Sequence, residues 1–170
     1  MLDLIIKNGK CYIDGELKEV NVAVKDNKIH KIGNILEEAK EIIDASDQTV
    51  LPGCIDTQTH FREPGSTDTE DLYSGSRAAI AGGITSVFEM PNTNPPTSNK
   101  REFQRKLDLA KNRMYCNYAF YFGATADNAD DLATIKDLEG CCGIKLFAGS
   151  STGNLLVAEE DDIDKVFQNS

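Results

Sequence analysis

Histidine is scarce in this chain: its 170 residues include two, His30 and His60. A metal site that draws several imidazoles from one polypeptide is therefore beyond it. The cysteines, Cys11, Cys54, Cys116, Cys141 and Cys142, are odd in number and show no C-x-x-C spacing. Three of them border strand-like apolar runs, where a free thiol behaves as a small buried hydrophobe. No apolar run nears the ~20 residues needed to span a bilayer. Asp3 and Lys7 interrupt the apolar start of the chain, which breaks any signal-peptide pattern. Positive charge is also short: 18 Lys and Arg face 28 Asp and Glu, a net charge of −10. That balance opposes non-specific binding to nucleic acid or to an anionic membrane. Together these absences predict a cytoplasmic protein with reduced thiols and neither a nucleic-acid nor a membrane partner.

What is present fits a globular fold, with 40% apolar and 27% charged residues. Residues 1–50 read as short strands, Leu4-Ile5-Ile6, Val20 to Val24 and Lys28 to Ile32, broken by turns at Asn8-Gly9, Asp14-Gly15 and Asp26-Asn27. From there the rhythm changes to strand then helix. Strand candidates begin near residues 50, 84, 116 and 143, about one βα unit apart. Helical patterns run from Thr69 to Ala81, stopped by Gly82-Gly83, and from Asn99 to Met114, opened by Asn99 and Glu102 in capping-box spacing. Two more run from Asn128 to Leu138 and from Glu159 to Phe167. The acidic run Glu159 to Asp162 complements the last helix's N-terminal dipole better than it suits a metal. Four such units make half of an eight-stranded barrel, which usually takes about 250 residues.

Chemistry concentrates where the first of these strands ends. The apolar run Val50-Leu51-Pro52-Gly53-Cys54-Ile55 reads as a buried strand, followed by Asp56-Thr57-Gln58-Thr59-His60-Phe61-Arg62-Glu63-Pro64-Gly65. Strand alternation projects Asp56, Gln58, His60 and Arg62 from one side. Such a row is costly to bury unless something binds it. Arg62 offers a planar fork for a carboxylate, and Asn92, at the end of Thr85-Ser86-Val87-Phe88-Glu89-Met90-Pro91-Asn92-Thr93, adds an amide. An ion pair of Arg62 with Glu63 or Asp68, and a turn role for Asn92, are the competing readings. In Gly143-Ile144-Lys145-Leu146-Phe147-Ala148-Gly149, alternation places Lys145 and Phe147 inside a barrel and Ile144 and Leu146 towards the helices. A buried ammonium costs several kcal/mol; the alternative is a lysine at the strand end that reaches solvent. Ser150-Ser151-Thr152-Gly153 lacks phosphate-loop spacing and reads as a connecting loop. His30 reads as an exposed strand residue.

These three segments, in this order, resemble the amidohydrolase superfamily and, within it, the dihydroorotases. The first resembles the family's Asp-x-His-x-His-x-Arg-x-Pro-Gly, with Gln58 where the first metal-binding histidine stands. The second is similar to the strand ending Met-Pro-Asn-Thr, and the third to the strand whose lysine carbamate bridges two metals. The resemblance implies an α/β fold: a small N-terminal β-sheet, part of a β-sandwich, over 1–50, then the first half of a TIM-like barrel over 51–170. It implies zinc as cofactor, with His60 and Lys145 as metal ligands and Gln58 as a departure. A neutral amide oxygen is a poor stand-in for an imidazole on zinc. It implies that Arg62 and Asn92 grip dihydroorotate, a cyclic amide with a ring carboxylate. Hydantoinase-like and allantoinase-like relatives generally lack that arginine.

The activity so implied is reversible, metal-dependent hydrolysis of dihydroorotate to carbamoyl aspartate, in pyrimidine biosynthesis. Most metal ligands are missing here, so the expectation is a truncated, inactive or partner-dependent form. The alternative is a non-catalytic subunit that keeps the fold for assembly. Open strand edges and the inward faces around Phe88, Phe120 and Phe122 further predict self-association or a complementary chain.

Overall fold

The computed structural model describes residues 1–135, 137–151 and 153–170, which form two compact units, Met1–Pro52 and Gly53–Ser170. The first contains β1 (Leu2–Lys7), β2 (Lys10–Ile13), β3 (Glu16–Glu19), β4 (Asn21–Lys25), β5 (Lys28–Gly33), β6 (Ala39–Asp44) and β7 (Thr49–Val50). Two hairpins organise it. Asp14-Gly15 and Asp26-Asn27 have positive φ at both turn positions, the backbone that matches the twist of tightly joined strands and that Asn, Asp and Gly tolerate. The strands form one sheet in the order β5-β4-β1-β6 and a second in the order β3-β2-β7. Leu2, Ile5, Ala23 and Ile35 make a small buried core.

The second unit runs β8 (Cys54–Thr59), α1 (Leu72–Ala81), β9 (Ile84–Glu89), α2 (Lys100–Ala110), β10 (Asn117–Gly123), a 3-10 helix over Ala129–Thr134, β11 (Cys141–Lys145) and α3 (Glu160–Asn169). Its strands are parallel, in the order β11-β10-β9-β8, a curled half-barrel. Alternate residues of these strands pack under the helices: Val87, Phe120 and Phe122 join Leu72, Phe103, Leu132, Val157 and Val166 in one buried cluster. Phe88 alternates to the other face and meets Tyr121 edge-to-face at 6.4 Å. Phe120 and Phe122 thus lie on the helix side, and Phe88 and Tyr121 supply the opposite face.

Two expectations change. Val50 pairs with Cys11 in the first unit, so the barrel strand starts at Cys54. That strand is not buried, because it ends the sheet order: Ile55 is 59% exposed. The helix expected from Asn128 to Leu138 is only a short 3-10 turn. Asn128 explains the shortfall, since its side chain bonds backbone groups instead of capping. Its Nδ2 donates to the Ser98 and Gly123 carbonyls at 2.8 and 2.9 Å, and its Oδ1 accepts from Thr125 N–H at 2.8 Å.

Candidate functional site

Two parallel neighbours deliver the site. Thr59, the last residue of β8, pairs with Glu89, the last of β9, and Met90 N–H donates to the Thr59 carbonyl at 2.9 Å. The segments leaving both strands therefore begin side by side. His60 comes from one and Asn92 from the other, and their Nδ1 and Oδ1 lie 2.9 Å apart. Because an amide oxygen only accepts, the contact places a proton on His60 Nδ1. Asn92 is left with its NH2 group to donate.

Asn92 lines a cavity of about 450 Å³ together with Arg62, Pro64, Ser66, Thr93 and Asn94, among others, within the usual range for small-molecule pockets. Gly65, between the lining residues Pro64 and Ser66, packs against Asn94. Its φ is +125°, and an added Cβ would sit 3.0 Å from Asn94 Cβ, so only glycine fits without strain. The Asn92 segment also turns: Thr93 and Thr97 N–H both donate to the Pro91 carbonyl at 2.9 Å. Asn92 thus sits at a turn, and it also lines the cavity.

Arg62 makes no ion pair with Glu63 or Asp68. Glu63 is buried and engaged by Arg113, whose guanidinium spans both its oxygens at 2.7 and 3.1 Å. Leu72 N–H adds a third bond to the same carboxylate at 3.0 Å. Arg62 is exposed and, among the described residues, has no carboxylate within ion-pair distance. Its fork is free for a ligand.

A second ion pair was not anticipated from the sequence. Glu89 and Lys106 are both fully buried and in direct contact, and Lys106 Nζ donates to the Met90 carbonyl at 2.9 Å. Lys106 Nζ also lies 5.2 Å from the Phe120 ring centroid. Burial pushes the Glu89 carboxyl up to about 7, against the opposing pull of Lys106 and Arg62. Burial likewise draws the Lys106 amine below its ordinary value. A signal did exist: Lys106 falls in the apolar stripe Phe103, Leu107, Ala110 of α2, and Glu89 shares strand parity with the buried Val87.

The expected metal ligands are only partly assembled. His60 is oriented as a ligand should be, its second nitrogen held by an oxygen acceptor. Gln58 is exposed, and its N–H donates to Asp56 Oδ1 at 2.9 Å. Pairing between β8 and β9 slips between Cys54 and Ile55 and again between Asp56 and Thr59, the stretch that holds Gln58. Lys145 ends β11 half-buried, with Nζ 5.0 Å from the Phe147 ring centroid. Ile144 and Leu146 pack on the core, so Lys145 and Phe147 take the opposite face, as alternation required. Lys145 does not line the Arg62–Asn92 cavity. Among the described residues no three His, Cys, Asp or Glu side chains converge. One imidazole, an amide and a lysine outside the cavity lining do not fit zinc. His30 is exposed in β5, and Thr152 of the Ser150 to Gly153 loop lies outside the described residues.

Comparison with known proteins agrees with this geometry. Residues 49–156 match the model of the amidohydrolase family. Dihydroorotase of Methanosarcina mazei is 38% identical over 163 residues, covering 95% of this chain and 36% of that protein. An allantoinase of Escherichia coli O1:K1 is 40% identical over 149 residues, covering 87% and 33%. Among solved structures, the L-hydantoinase (dihydropyrimidinase) from Arthrobacter aurescens superposes with a TM-score of 0.88 at 29% identity, covering 99% of this chain and 38% of that one. The chain spans roughly a third of the length of the curated relatives it matches. No described helix is long and apolar enough to cross a membrane. With the half-barrel, the strand-end site and a family match over most of its length, this chain belongs to the amidohydrolase family.

Proposed function

We propose that this chain carries the carboxylate-recognition part of a dihydroorotase-like cyclic-amide hydrolase, acting in the cytoplasm in pyrimidine biosynthesis. The observation that carries the reading is the pairing of a free guanidinium, Arg62, with an amide donor, Asn92, on one cavity. The fork of Arg62 takes both oxygens of the ring carboxylate of dihydroorotate. Asn92 adds an N–H because His60 already occupies its oxygen. An allantoinase-like or hydantoinase-like substrate has no ring carboxylate for Arg62 to hold, which is why we favour the dihydroorotase branch despite comparable sequence identities.

Zinc, the metal of the family resemblance, would need donors beyond those described here. Gln58 and the incomplete donor set favour a second reading, a non-catalytic dihydroorotase-like subunit that keeps the fold and the ligand grip. Calorimetry with millimolar dihydroorotate tests the grip. Binding that weakens at least tenfold in Arg62→Met supports it, and no binding to the wild type overturns it. Zinc content and turnover separate the two readings. Metal-dependent hydrolysis lost in His60→Ala marks an enzyme; a metal-free chain that still binds ligand marks a scaffold.

A further inference from the structure

The two arms of the grip leave different strands, yet both are tied to the same stretch of chain. Lys106, buried in α2, bonds the Met90 carbonyl, two residues before Asn92. With Met90 N–H held by Thr59, both backbone polar groups of Met90 are fixed. Arg113, one turn beyond α2, grips Glu63, the residue next to Arg62, through both carboxylate oxygens. Arg113 is itself anchored, its N–H on the Ala110 carbonyl at 3.0 Å and its NH1 on the Leu109 carbonyl at 3.0 Å.

We infer that Lys106 and Arg113 are positioning residues that set the aim and separation of Asn92 and Arg62. The inference rests on reading the cavity as a carboxylate site. Three features carry it. An ion pair with 0% exposure at both ends is often no more stabilising than a well-packed apolar pair. Its placement beside the strand end supplies a role, because its lysine is spent on the backbone that launches Asn92. Arg62 and Asn92, by contrast, line an open cavity, Arg62 exposed and Asn92 half-buried with its oxygen on His60, so their aim depends on the flanking backbone as well. A site held by a rigid supporting layer loses affinity when that layer loosens, even though no ligand contact is removed.

The His60 tautomer reports on Asn92 without any ligand. In the wild-type chain, imidazole nitrogen NMR should find His60 protonated on Nδ1, with His30→Gln providing the assignment. Lys106→Met alone risks misfolding, so the main variant is Glu89→Leu/Lys106→Met, which replaces the pair with apolar groups of similar size. It should fold by circular dichroism yet lose the Nδ1 preference. Arg113→Met should increase the mobility of the Arg62 Nε–H in relaxation measurements. It should also weaken dihydroorotate binding about tenfold, with partial recovery in Arg113→Lys and no further loss in an Arg62→Met background.

A folded double variant with an unchanged His60 tautomer, or an Arg62 Nε–H unmoved by Arg113→Met, overturns the inference. So does an Arg113→Met affinity loss that persists undiminished without Arg62. If wild type binds no dihydroorotate while tautomer and mobility respond as described, the positioning role stands and the carboxylate reading falls.

Discussion

Stability should fall as pH rises from about 5 to 7, and Glu89 is the reason. An unfolded glutamate titrates near 4.5, whereas the buried Glu89 is held at about 7. Between those values the native state binds the proton that the unfolded chain releases, so the Glu89 contribution drops with rising pH and levels off above 7, while the lowered Lys106 amine adds stability back on the alkaline side. A group shifted in this direction gives no acid-side loss. At roughly 1.4 kcal/mol per pH unit, the whole window amounts to about 3 kcal/mol, a large share of a typical domain's 5–15 kcal/mol. Carboxylates held below their usual range, among them Asp3, Asp44 and Asp71, titrate under that window. The assay is urea unfolding at pH 5, 6, 7 and 8, followed by far-ultraviolet circular dichroism because the chain has no tryptophan. Glu89→Leu/Lys106→Met is the comparison, since it removes both partners and leaves no orphaned charge. The wild-type midpoint should slide downward relative to the variant between pH 5 and 7. Parallel profiles would refute the reasoning.

Two other outcomes follow from packing. Gly75, buried in α1, has no room for a side chain, an added Cβ meeting Phe61 Cδ1 at 2.5 Å. Gly75→Ala should therefore destabilise by about 1–3 kcal/mol, read as a lower urea midpoint; an unchanged midpoint would mean that Phe61 moves aside freely. We also propose that the chain self-associates or takes a complementary chain through the edge strands β8 and β11, where Ile55 is 59% exposed. Light scattering should find a species larger than a monomer, and a monodisperse monomer at high concentration contradicts this.

Local signals in the sequence carried much of this architecture. Gly82-Gly83 stops α1 as expected, and Asn99 caps α2 by accepting from Glu102 N–H at 2.9 Å. Arg62 and Asn92 were legible because each ends a recognisable strand segment, and the structure places both on one cavity. Partner choice was not legible. Glu63 finds Arg113, fifty residues away, instead of its neighbour Arg62, and no local pattern encodes that. The parity of Glu89 with Val87 and the place of Lys106 in the apolar stripe of α2 hint at burial, but not that the two meet. The short Asn128 helix failed for a related reason, because tertiary carbonyls competed for its capping residue.

The central claim is that Arg62 and Asn92 recognise a ring carboxylate, and a matched pair of ligands tests it most directly. Dihydroorotate and dihydrouracil share the cyclic amide ring and differ by that carboxylate. A charge-assisted contact of about 1.5–3 kcal/mol predicts that the wild-type chain binds dihydroorotate at least tenfold more tightly in calorimetric titration. In Arg62→Met the two affinities should become nearly equal. Equal binding of both ligands by the wild type, or an unchanged preference in Arg62→Met, would contradict the account.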